Sequence, residues 1–476
     1  MSAELRVGAE RLDPRDAVFV YDETDRHLSN VVAVYIADAS GREPLTRDEV
    51  LDWARASIGH AALFHRTLRR APLDLDLPSW VPDPGLSVAE HVVLDRPGDG
   101  SWAAARARIA EITAARMDLT RPPWELHVLD GVVGVPSLPG TATVIVLKFH
   151  HSAGDGVATR ALESKLFGPE PAPAIRLDPA SSLRTAVRTT GAFLAAPVRF
   201  VGGLRRAAAA GDELRELVDA GTIHEPVALR PATRFNRDIH AALTFHLLPI
   251  PMAEVLAAKA AAPYRVTVND LMLTTISGAL VAYLAEHGET PDGSLAAMVP
   301  MSMRGVADWD SANQLTQMIV DLHTDLADPA ERLAAIKRSA GLAKQRTAHP
   351  VVLRGDRRVE TAPALLLRAA GWARAQRRFD DAATVPLCNT TISNVPPVTD
   401  NLVFLDRPIR RVVGSLPILD GDGLRHLITS QGDEIVIAVT TDAAMMPDPE
   451  HYGELLVRSF RELAAALGRD VPAPAS

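Results

Sequence analysis

The stretch TATVIVLKFHHSAGDGV, residues 141–157, decides how the rest of the chain is read. Its first part is an almost unbroken apolar, β-branched run, the pattern of a strand buried on both faces. DGVATRALESKLFG follows with helical periodicity. The segment is therefore a strand, a turn and a helix, with His150, His151, Asp155 and Gly156 gathered at the turn. Loops at strand ends commonly carry functional groups. Neighbouring residues of a strand point to opposite faces, so His150 and His151 are poorly placed to chelate one metal together. A zinc site would need two more ligands from elsewhere, and no obvious set supplies them. One histidine can face a cavity as a general base, since an imidazole near pKa ~6.5 suits that work at neutral pH. The other packs within the fold. Asp155 is placed to fix the loop, and Gly156 permits a tight backbone there.

Working outward, VVAVYIAD ends a strand at Asp38, and LDPRDAVFVYDETDRHLSN before it reads as a loop. LTRDEVLDWARASIGH reads as a helix capped by Thr46, and SWAAARARIAEITAARMDLTRPPW as a longer one stopped before Pro122. WELHVLDGV alternates as a strand and can pair with the histidine-bearing strand as a hairpin. Beyond a Pro-rich break at 169–174, residues 181–211 contain no acid but include Arg184, Arg188, Arg199, Arg205 and Arg206. Phe193, Leu194, Val198, Val201 and Leu204 could line one face of a helix there, either a membrane-surface helix or a solvated connector. Pro197 and the Gly202-Gly203 pair interrupt that face. A second half begins near Ala242 and again mixes strands and helices: ALTFHLLPIP, a long helix entered at Thr267, SLAAMVPMSMR, a helix opening at Pro329, NTTISNVPP, a hairpin around Gly432 and a closing amphipathic helix. Strict βαβ alternation is missing, which favours mixed or antiparallel sheets. The reading is a mixed α/β fold with an N-terminal subdomain (1–168), a Pro/Arg-rich helical linker (169–240) and a C-terminal subdomain (241–476).

The chain has 476 residues and a net charge of -9, which argues against nucleic acid as a partner. Its one cysteine, Cys388, rules out an intramolecular disulfide and a cysteine-cage metal site and fits a reducing compartment. Cys388 reads as a small core side chain. No signal peptide is visible, and the uncharged run from Leu271 to Ala285 is short for a membrane span. G-x-S-x-G, P-loop and G-x-G-x-x-G motifs are absent, so a base without an enzyme nucleophile is the chemistry that remains.

His150, His151, Asp155 and Gly156 match the HHxxxDG motif of the coenzyme-A-dependent acyltransferase superfamily, which includes chloramphenicol acetyltransferases and peptide-synthetase condensation domains. Taken in order, LDPRDAVFVYDET, RPPWELHVLDG, VTVNDLML, VPMSMR, NQLTQMIVDLHTDLADPAERLAAI and NTTISNVPP narrow the match. Together they resemble the bacterial wax ester synthase/diacylglycerol acyltransferase family from about residue 11 to 470.

The resemblance implies two chloramphenicol-acetyltransferase-like subdomains, each a mixed sheet flanked by helices, with a tunnel between them. It implies His151 as general base, His150 as a structural residue, and Asp155 ion-paired to Arg304. Trp124, the Asn269-Asp270 pair and Ser393-Asn394 match the family's substrate-site motifs, and Asn269 is a candidate oxyanion donor. Pro123 stands where the family has leucine, and SNVPP lacks the glycine expected between its prolines. The implied reaction moves a long-chain acyl group from acyl-CoA, a co-substrate, to diacylglycerol or a long-chain alcohol, with no permanent cofactor and no metal. Such acceptors imply a cytoplasmic protein peripheral to the membrane or to lipid inclusions. The alternatives are another acceptor, as in polyketide- or peptide-synthetase-like enzymes, and a non-catalytic lipid-binding member of the fold.

Overall fold

The computed structural model describes residues 4–179, 182–226, 229–307, 309, 311–380, 385–397 and 401–468. Two six-stranded sheets organise them. The first runs Val403–Phe404, Arg407–Ser415, Asn30–Asp38, Ala142–His150, Trp124–Val132, Val92–Asp95, antiparallel except for its last pair. The second runs Leu243–Pro251, Glu434–Asp442, Leu424–Gln431, Thr390–Asn394, Ala296–Ser302, Leu315–Asp321. There Thr390–Asn394 is parallel to both neighbours and the other pairs are antiparallel. The fold is thus mixed α/β, as the missing βαβ alternation implied.

The apolar run before the histidines becomes the strand Ala142–His150, every residue of which is buried. Its alternate residues feed two cores, as the pleat requires. Ile145, Leu147 and Phe149 pack with Tyr35, Trp124 and Leu162 under the helices Arg47–Ser57 and Gly156–Leu166. Val144 and Val146 pack with Val34 and Ile109 and with Phe245, Leu427 and Ala438 of the second sheet. The two sheets therefore share one apolar layer, which fixes the ends of their strands relative to each other. A third cluster covers the far face of the second sheet. Its centre is the helix Val268–Glu286, started by a capping box between Thr267 and Asp270. By length and composition this helix could cross a membrane, but most of it is buried in the core.

Four features depart from the sequence reading. The expected loop at 12–30 contains the helix Pro14–Tyr21, with the Asp13 carboxylate accepting from the Arg15 amide and Pro14 in the first turn. The basic middle segment is one helix, Ser182–Asp219, that continues through Pro197. Gly203 does not break it; a Cβ there would lie 1.9 Å from the Thr361 hydroxyl, so glycine lets the neighbouring chain approach. The strand Arg407–Ser415, read from no pattern in the sequence, pairs with Asn30–Asp38. A division into 1–168 and 241–476 consequently cuts through the first sheet, whose edge comes from the far end of the chain.

Candidate active site

His150 closes the strand Ala142–His150, and His151 opens a short 3-10 turn, His151–Ala153. The sheet still grips both: the His150 amide donates to the Pro123 carbonyl at 3.0 Å and the His151 amide to Ser29 at 2.7 Å. The two rings lie in different surroundings, one on the strand's last residue and the other on the turn that follows. His150 is fully buried, with Nδ1 2.6 Å from the Ser152 hydroxyl and Nε2 3.5 Å from Glu23 Oε1. Burial alone would raise the Glu23 carboxyl, but hydrogen bonding to His150 and the charges of His150 and Arg116 hold it below its ordinary value.

His151 keeps a partly exposed surface. Its ring lies flat on Phe19, centroids 4.2 Å apart and planes 9° apart. Nδ1 is enclosed without a hydrogen-bond partner among the described residues. Packing around the ring pushes its pKa down, against smaller raising effects from its own backbone, Asn313 and Asp155. The imidazole is thereby kept neutral at physiological pH.

Asp155 is fully buried. One guanidinium nitrogen of Arg304, Nη2, donates to both its oxygens at 2.8 and 2.9 Å, across 149 residues of sequence. The Gln314 amide adds a bond to Oδ2 at 2.9 Å. Gly156 begins the helix Gly156–Leu166. The structure thus brings together His150, His151, Asp155, Gly156 and Arg304.

The segment 311–314 reaches this loop from the second half of the chain. Asp16, buried on the helix Pro14–Tyr21, accepts from the Ser311 hydroxyl (2.6 Å), the Ala312 amide (3.0 Å), and the Asn313 amide and side chain (3.1 and 2.8 Å). Asn313 Nδ2 also donates to the His151 carbonyl at 2.7 Å. One short helix therefore supplies both Phe19 beneath the imidazole and the carboxylate that secures the loop behind it. The sequence reading missed Asp16, Phe19, Glu23 and Asn313; the Asp13-Pro14 helix start was the available signal for the first two.

The remaining expected site residues make their contacts with other partners. Trp124, expected at the substrate, is a core residue: it is 2 % exposed, bonds the Phe64 carbonyl through Nε1 at 3.1 Å, and stacks on His91. Its partner across the ladder is Phe149, so it braces the strand that carries the histidines. Asp270 is occupied by the capping box of its helix. Asn269 accepts from Asn394 Nδ2 at 3.3 Å, joining the start of that helix to the end of Thr390–Asn394, the strand that also carries Ser393. Cys388 lies two residues before that strand, and burial pushes its thiol up to about 12. Among the described residues, His, Cys, Asp and Glu form no group of three or more that could hold a metal ion.

The mixed α/β fold brings His150, His151, Asp155 and Arg304 together, the last two as an ion pair joining distant parts of the chain. The comparisons carry this to a family. The wax ester synthase/diacylglycerol acyltransferase catalytic domain matches residues 12–272, and the C-terminal domain of that family matches residues 311–464. The chain belongs to the wax ester synthase/diacylglycerol acyltransferase family and is an acyltransferase. It is 28% identical to Rv1760 of Mycobacterium tuberculosis, which bears the name of a diacylglycerol O-acyltransferase, over 94% of this chain and 90% of the relative. In structure it is similar to the wax ester synthase/diacylglycerol acyltransferase of Marinobacter aquaeolei VT8, with a TM-score of 0.66 at 20% identity, covering 96% of this chain and 100% of the other. It is also similar to the TRI3 trichothecene 15-O-acetyltransferase of Fusarium sporotrichioides, with a TM-score of 0.58 at 12% identity, covering 96% and 95%.

Proposed function

We propose that the chain transfers a long-chain acyl group from acyl-CoA directly to the hydroxyl of diacylglycerol, with long-chain alcohols as a second acceptor class, and that His151 is the general base. The observation that carries this reading is the state of His151: a partly exposed imidazole stacked on Phe19, with Nδ1 enclosed and its charged form disfavoured by burial. Nε2 takes the acceptor's hydroxyl proton as the oxygen attacks the thioester carbonyl. The tetrahedral intermediate collapses with cleavage of the carbon–sulfur bond. The same nitrogen returns its proton to the departing thiolate, leaving ester and free coenzyme A. Family membership supports acyl-CoA as donor, and the names of the relatives support the acceptor.

The test is thiol release from acyl-CoA with and without diacylglycerol. Positioned general-base catalysis contributes about 10²–10⁴-fold, so His151→Ala should lose at least that much turnover. Wild-type rates in the purified variant would sink the mechanism, and release indifferent to the acceptor would sink the transfer.

Such acceptors reside in membranes or lipid inclusions, and a peripheral cytoplasmic position follows from that reading. The helix Ser182–Asp219 supports it. Leu194 and Val198 are 71% and 78% exposed, and Arg205 and Arg206 stand exposed about two to three turns further on. Leu194→Asp with Val198→Asp should abolish co-sedimentation with anionic vesicles. Unchanged co-sedimentation would remove this helix from the contact.

A further inference from the structure

The helix Pro14–Tyr21 presents two side chains to the region of His151, and they act differently. Asp16 and Phe19 are three residues apart, the spacing that puts side chains on one helix face. Asp16 secures the segment 311–314. Phe19, half-buried, meets the imidazole itself.

The contact between the two rings is held by hydrogen bonds that involve neither ring. The Ser29 hydroxyl donates to the Phe19 carbonyl at 3.0 Å, and the Ser29 carbonyl accepts from the His151 amide at 2.7 Å. One serine therefore spaces the two backbones. Asn313 adds a second tie, since its side-chain nitrogen bonds both Asp16 and the His151 carbonyl. With the backbones fixed, the rings lie face to face at 4.2 Å, well inside the ~6 Å over which an aromatic face attracts a cation.

His151 becomes a cation only when it takes a proton. The charged groups of the elements around it are already engaged. On its own side of the turn, His150 stands 3.5 Å from Glu23, and Asp155 holds Arg304 at 2.8 Å. On the helix Pro14–Tyr21, Arg15 pairs with Glu360, and Asp16 accepts from Ser311 and Asn313. The charges of His150 and Asp155 act on the ring in opposite senses, and burial outweighs both. The face of Phe19 is different. It carries the negative end of the ring's quadrupole, so its attraction for the imidazole grows when the imidazole is charged.

We propose that Phe19 is a positioning residue for the reaction: its ring fixes the plane of the His151 imidazole, and its face stabilises the imidazolium that forms while His151 holds the acceptor's proton. The proposal rests on the general-base reading of His151. It makes the stack stronger in the transition state than in the ground state, the kind of contact that raises turnover rather than affinity. Leucine at this position keeps apolar packing and loses the aromatic face, whereas tyrosine keeps both.

The experiment compares the full chain with Phe19→Leu and Phe19→Tyr, each checked for native circular dichroism. The first readout needs no turnover. It is the NMR titration of His151 in chain labelled at the histidine ring carbons, with the signal assigned by its loss in His151→Ala. Removing the π face removes support for the charged form, so His151 should titrate about half a pH unit lower in Phe19→Leu. In Phe19→Tyr it should titrate as in wild type. His451, bonded to Glu286, should titrate alike in all three chains and serves as the reference. The second readout is steady-state kinetics. Half a pH unit corresponds to about threefold, so kcat should fall about threefold in Phe19→Leu at unchanged KM. The acid inflection of kcat/KM should move down with the titration. A His151 titration in Phe19→Leu that matches wild type would overturn the proposal, as would a tyrosine variant as impaired as the leucine one in both readouts. Survival of acyl transfer in His151→Ala sinks the general-base reading and with it the catalytic half of the proposal. The titration still decides the contact between Phe19 and the imidazolium.

Discussion

Asp16 and Asn313 are joined twice, through the Asn313 amide at 3.1 Å and its side chain at 2.8 Å, and the same side-chain nitrogen reaches the His151 carbonyl at 2.7 Å. The helix Pro14–Tyr21 and the segment 311–314 thus hold the backbone of His151. Loss of one such hydrogen bond costs about 1 kcal/mol, and a stranded buried partner raises that to about 1–3. Asn313→Ala should therefore lower kcat roughly tenfold with little change in KM. Steady-state kinetics on the folded variant checks this. A rise in KM at constant kcat would show that the amide serves binding instead.

Asp155 and Arg304 make a different kind of contact. A single guanidinium nitrogen serves both carboxylate oxygens, so the bond has the form of a point charge on a carboxylate. Removing one member of a buried pair costs about 3–5 kcal/mol. Solvent reaches Arg304, whose side chain is 34% exposed against 0% for Asp155, which brings the expected loss for Arg304→Ala nearer ~2 kcal/mol. Arg304→Lys should recover part of both stability and activity, since an ammonium can occupy the same nitrogen position. Urea unfolding and turnover of the two variants test this; a lysine variant as poor as the alanine one would mean that the guanidinium's shape matters.

Under the proposed mechanism, the depressed pKa of His151 sets the acid limb of the pH profile. Packing around the ring disfavours its charged form, so the base stays deprotonated below the ordinary histidine pKa of ~6.5. Activity should persist as pH falls through that value, with kcat/KM inflecting below it. An inflection at or above ~6.5 would place the titrating group elsewhere.

Much of this was legible in the sequence because the relevant signals are local. The apolar run 142–149 specified a strand buried twice over, and the doubled histidine specified two rings in different surroundings, His150 fully buried and His151 partly exposed. The pairing of Asp155 with Arg304 came from the family resemblance, since nothing local links residues so far apart. What escaped depends on tertiary context. Arg407–Ser415 carries Arg407, Arg410 and Arg411 and has no clean alternation; its place in the first sheet is supported by Arg411, which bonds the Pro136 carbonyl and Glu434. The motif match at Trp124 carried no information on its surroundings, which are the buried Phe64, His91 and Phe149. Asp16 and Phe19 were hidden in a helix only eight residues long, too short for periodicity to show.

His426 tests the electrostatics of the second sheet independently of catalysis. It is fully buried, with Nε2 2.9 Å from the Tyr452 hydroxyl and Nδ1 3.1 Å from the Thr390 hydroxyl. Burial pushes its pKa down to about 3. The folded chain therefore keeps this ring neutral while the unfolded chain protonates it below ~6.5. The stability it contributes is complete above ~6.5 and falls as pH drops toward the folded value, by at most ~1.4 kcal/mol per pH unit. Urea midpoints between pH 7 and pH 5 should decline accordingly. His426→Gln keeps a hydrogen-bonding side chain without a titrating group, so its midpoint should decline less over the same interval. A parallel decline in both chains would assign the acid sensitivity to other groups.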